Sequence, residues 1–112
     1  MSYQIKELLL DGGGSPFAEW FGLLEAVAAA KVRAAVNWME QGNLSNIEWF
    51  RGIGEYKIDW VSGLRVYLAK VGLKIIILIG GGTKKRQQQD IDQAVALWED
   101  YKRSKASTQK GK

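Results

Sequence analysis

Apolar and polar residues alternate through "EYKIDW" at 55–60 and "LRVYLA" at 64–69. Tyr56, Ile58, Trp60, Leu64, Val66 and Leu68 form one set; Glu55, Lys57, Asp59, Arg65 and Tyr67 form the other. A period of two is that of a strand with one face in the core. Val61-Ser62-Gly63 joins the two runs and offers a glycine for positive φ, so together they predict a β-hairpin. "KIIILI" at 74–79 does not alternate and is rich in β-branched residues, which predicts a central strand buried on both faces. "NIEWFR" at 46–51 reads as a further strand, and "YQIKELLL" at 3–10 as a less regular first one.

Between the first strand and the others the period changes. Ser15 is a helix cap and Pro16 suits a first helical position, which predicts a short helix over 16–24. A longer one spans 25–41. Leu24, Ala28, Val32, Ala35, Val36 and Met39 fall on one side of it, and Arg33, Asn37 and Glu40 on another. Gly42-Asn43 ends it. After Gly80-Gly81-Gly82, read as a break, Thr83 caps a last helix over 84–103, with Ile91, Ala94, Val95, Trp98 and Tyr101 as its apolar stripe. The order is β-α-α-β-meander-α, an α+β class. One domain covers residues 1–103, and the polar, basic stretch 104–112 is expected to be a disordered tail.

With 112 residues the chain can build one modest core. It has no Cys, so disulfide and thiolate chemistry are excluded. It has no His, which removes the usual general base near neutral pH and the commonest metal ligand. No metal and no cofactor are expected, and any catalysis falls to carboxylates, Lys, Arg, Tyr or hydroxyls. The net charge of +4 belongs to the C-terminus. Lys102, Arg103, Lys105, Lys110 and Lys112 contribute +5 with no acid, so residues 1–101 carry 11 cations against 12 acids. No leader pattern opens the sequence, and "IIILI" is too short to span a bilayer, so a cytoplasmic protein is expected.

Two stretches carry candidate chemistry. "ILIGGGTKK" matches neither phosphate-loop pattern, G-x-x-x-x-G-K-[ST] or G-x-G-x-x-G. Yet Lys84, Lys85 and Arg86 stand at a helix start, where the dipole disfavours cations, and this placement reads either as a site for an anionic partner or as a solvated basic face. The polar set of the hairpin is either a solvated sheet face with cross-strand ion pairs or a surface for a phosphate backbone. In the second case Lys57 and Arg65 bind phosphate, Tyr67 stacks on a base, and Glu55 or Asp59 moves protons. Trp20, Trp38, Trp49, Trp60 and Trp98 are read as core, Trp49 fitting an apolar face least well.

The ordered series "SPFAEW", "QGN", "GEYKIDW", "GLRVY", "LIGGGTKKRQQQDIDQA" and "LWEDYK" resembles the RelE/ParE superfamily of bacterial toxins, in particular the HigB-like addiction module killer proteins. The resemblance covers residues 15–103. It implies a small twisted antiparallel sheet packed against helices. It also implies a toxin of a type II toxin–antitoxin system: an mRNA endonuclease acting on the ribosome and neutralised by an antitoxin, usually of helix-turn-helix type. Carried over by position, it assigns the active face to Lys57, Arg65, Lys84 and Lys85, with Tyr67 beside them. Lys57 stands where relatives have Arg, "VSG" where "GPG" is common, and Leu64 where Tyr is usual. RNA cleavage by its own 2′-OH then requires Arg65 and Lys84 or Lys85 to stabilise charge on phosphorus, and Lys57, Glu55 or Asp59 to take the proton. Two other readings share the fold: a ParE-like poison of DNA gyrase, and an inactivated relative that only binds antitoxin.

Overall fold

The computed structural model describes residues 2–61 and 63–110, with side chains through residue 105. Strand β1 (Gln4–Glu7) leads into helices α1 (Pro16–Gly22) and α2 (Ala26–Glu40). Strands β2 (Ile47–Phe50), β3 (Ile53–Ile58), β4 (Leu64–Val71) and β5 (Ile75–Gly82) follow as a meander. A 3-10 turn at Lys84–Arg86 then opens helix α3 (Gln87–Lys110). The five strands form one sheet in the order β1-β5-β4-β3-β2. The α+β class holds, but the sheet is mixed: β1 pairs parallel to β5, and the other pairings are antiparallel.

Local chemistry accounts for most of these elements. Ser15 Oγ accepts from the Ala18 amide and Pro16 begins α1. The β2–β3 turn has positive φ at both Arg51 and Gly52, the requirement of a two-residue hairpin whose twist matches its strands. Thr83 sits at the predicted cap position, but its side chain makes no capping bond. The last helix also runs past residue 103, through Lys110. "SKASTQK" at 104–110 contains no Gly or Pro, and each further helical residue adds a hydrogen bond at little cost.

Helices cover both faces of the sheet. Under α1 and α2 lie Tyr56, Leu64, Val66, Leu68, Ile76 and Leu78, packed on Phe17, Ala28, Val32, Ala35 and Met39. Under α3 lie Ile53, Tyr67, Ala69, Ile77 and Ile79, packed on Ala94 and Trp98. β5 therefore contributes Ile76 and Leu78 to one core and Ile77 and Ile79 to the other, which explains its unalternating run. The expectation of a solvated second face fails for its inner half. Glu55, Arg65 and Tyr67 are buried because α3 lies across them.

Gly80-Gly81-Gly82 is not a break. All three residues pair with β4, opposite Tyr67, Val66 and Arg65. At Gly81 and Gly82 the missing side chains admit neighbours from both layers. A Cβ on Gly81 would stand 2.3 Å from Trp20 Cε3, and one on Gly82 would overlap the Asp90 carboxylate. Among the tryptophans, Trp20 and Trp60 pack partly on the first core and Trp98 is buried in the second. Trp38 and Trp49 are about half exposed, which corrects the core reading for both. No helix among the described residues is long and apolar enough to cross a membrane.

Candidate functional site

The turn end of the β3–β4 hairpin and the start of the 3-10 turn border an open groove of about 850 Å³. Lys57, Asp59, Trp60, Arg65, Lys84 and Lys85 line it, with Gly63 at the bend. Four cations thus face one carboxylate, although the body of the chain is slightly acidic. Strand pairing sets Lys57 directly opposite Arg65. Like charges in that relation are destabilising unless something anionic lies between or beside them. Lys57 is answered on its other side by Glu48 at 3.3 Å, an exposed pair of small worth. Lys84 and Lys85 are exposed and make no ion pair or hydrogen bond with the described residues.

Gly63 makes the cluster possible. Its φ of +69° closes the hairpin, and a Cβ there would stand 2.8 Å from Arg65 Nη1 and 3.1 Å from Lys84 Cβ. The bare backbone lets the guanidinium and the Lys84 stem converge from two elements. The Gly63 carbonyl accepts from Arg65 Nη1.

Behind Arg65 sits a buried polar network. Glu55 is 1% exposed, and its Oε2 accepts from Tyr67 Oη (3.1 Å) and from Gln87 Nε2 (2.9 Å). Arg65 Nε lies 3.5 Å from the same oxygen, too poorly aligned to donate, and is a buried donor without a partner. Burial, and then the Glu55 charge beside it, push the Tyr67 phenol well above its ordinary 10.0. Next to this network, Asp90 rests against Gly82. Burial raises its carboxyl above the ordinary 3.8, against the pull of Arg86.

The groove therefore gathers Lys57, Asp59, Arg65, Lys84 and Lys85 and excludes two candidates. Glu55 is enclosed and already accepts two hydrogen bonds, so it is not available to a 2′-OH; Asp59 is the carboxylate left at the groove. Tyr67 is 1% exposed and cannot stack on a base. Both corrections have one cause, the N-terminal turns of α3 lying over that half of the sheet. Gln87 went unnoticed in the sequence because "RQQQD" carries no periodic signal and its role is set by where α3 docks.

An uncharacterized protein of Haemophilus influenzae is 36% identical over 99 residues, spanning 87% of this chain and 94% of that protein. The chain belongs to the family of that protein. No family model matches the chain, and no solved structure matches it. Family membership brings no activity with it, since the relative is itself uncharacterized, so function rests on the groove and on the sequence motifs.

Proposed function

We propose that the chain is the toxin of a type II toxin–antitoxin module, a ribosome-dependent mRNA endonuclease that works at the groove. The observation that carries the reading is the convergence of Lys57, Arg65, Lys84 and Lys85 on one open groove, with two of them directly opposed across β3–β4. Lys84 and Lys85 have no counterion among the described residues, and cations clustered in this way are the footprint of a phosphate backbone. The motif series resembling HigB-like toxins runs through the same residues. In this reading Arg65, Lys84 and Lys85 stabilise the charge that grows on phosphorus. Lys57, crowded by cations, or Asp59 takes the 2′-proton. The ribosome holds the RNA in line. The partner is a small antitoxin, and the exposed apolar residues Leu23, Val27 and Trp38 along α1 and α2 suit a protein contact.

Expression in bacteria without the antitoxin tests this. Growth arrest with new 5′ ends within translated mRNA is expected. A DNA-damage response with intact RNA would instead support gyrase poisoning, and unarrested growth would support a chain that only binds its antitoxin.

A further inference from the structure

The Arg65 guanidinium has five N–H donors in a rigid fork. One donates to the Gly63 carbonyl, and Nε lies 3.5 Å from Glu55 Oε2 without a hydrogen bond to it. Nη2 makes no hydrogen bond with the described residues. The side chain is 9% exposed yet lines the open groove. It is held from behind and has donors to spare in front.

What holds it is Glu55, and what holds Glu55 comes from two elements. Tyr67 reaches it along β4, and Gln87 reaches it from the first turn of α3. Gln87 directly follows Lys84-Lys85-Arg86, so its bond to Glu55 also fixes where the two lysines stand relative to the sheet. A carboxylate with both donors in place cannot swing, and its charge keeps the guanidinium turned toward it.

We propose that Gln87 and Tyr67 are positioning residues: through Glu55 they orient Arg65 so that its free donors grip one phosphate group in the groove, and Gln87 sets Lys84 and Lys85 beside that phosphate. This rests on the RNA-cleavage reading for its biological meaning, but the phosphate grip itself is separately measurable. Glu55 is thereby a support for Arg65 and has no role as a base.

The test uses the full chain labelled with ¹⁵N, observed at the arginine Nε–H resonances, with Arg65 assigned by its loss in Arg65→Lys. Inorganic phosphate is the probe. In the parent, the Arg65 Nε–H signal is sharp and shifts on phosphate addition. In Gln87→Met, which keeps the side-chain length and removes the donor, phosphate binding weakens about tenfold and the signal broadens, as for the loss of one charge-assisted hydrogen bond. Tyr67→Phe does the same independently while filling the same space. In RNA cleavage both variants lower kcat about tenfold and leave KM within about twofold, because the phosphate is gripped most tightly in the transition state. Parent-like phosphate affinity and Arg65 signal in both variants would overturn the proposal, as would a parent whose Arg65 signal ignores phosphate. A parent that binds phosphate at Arg65 but cuts no RNA would defeat the cleavage reading and leave the positioning upheld by the phosphate arm.

Discussion

Arg65 and Glu55 illustrate why a buried ion pair says more about function than about stability. Desolvating two charges costs about as much as their attraction returns, so a hydrophobic pair would hold the fold at least as well. Removing one partner is another matter. Glu55→Ala leaves the guanidinium almost enclosed and uncompensated, and is expected to lower unfolding stability by about 3–5 kcal/mol in a denaturant titration. Asp90 behaves in the opposite way. Its carboxyl is raised by burial, so at neutral pH the folded state holds an ionised group it disfavours. Asp90→Asn is therefore expected to raise Tm at pH 7. The gain shrinks as the pH falls through the raised folded value, and is gone below the ordinary 3.8, where the acid is protonated in both states. A gain that did not depend on pH would assign the effect to something other than the charge.

At the scale of elements, what could be read from the sequence was what neighbouring residues decide. Alternation fixed which residues of β3 and β4 share a face, and the apolar stripes of α2 and α3 recur in the two cores. What could not be read depended on distant packing. Glu55, Arg65 and Tyr67 have the pattern of a wet face, and only the docking of α3 buries them. β1 is short and at the sheet edge, and nothing local states that it runs parallel to β5. The glycine run read as a break because the chain alone does not reveal the Trp20 ring and the Asp90 carboxylate that need its bareness. That packing has a consequence. Gly81→Ala drives a methyl into the Trp20 ring, and it is expected to cost about 1–3 kcal/mol in thermal or chemical unfolding. Gly80→Ala meets nothing within 4 Å and serves as the mild control.

Across the whole molecule, charge is separated. The C-terminal part of α3 carries most of the net positive charge, and four of the eleven cations of residues 1–101 line one groove. If the proposed function is right, RNA binding in that groove releases counterions, so affinity falls with salt in proportion to the phosphates neutralised. Replacing Lys84 and Lys85 by Ala is expected to reduce the salt slope of binding to a single-stranded RNA by about 1.4, since each phosphate contact on a single strand contributes about 0.7. A slope unchanged by the two substitutions would place the RNA elsewhere, with the basic end of α3 as the first alternative.

The central claim is that the groove cuts mRNA, and cleavage in a translating extract tests it most directly. Lys57, Lys84 and Lys85 are all exposed, so replacing the three by Ala leaves the fold intact, which circular dichroism can verify. The parent is expected to cut translated mRNA, and the triple variant to do so at least about 100-fold more slowly. A folded triple variant that cleaves at the parent rate, or a parent that leaves the mRNA whole, would contradict the account.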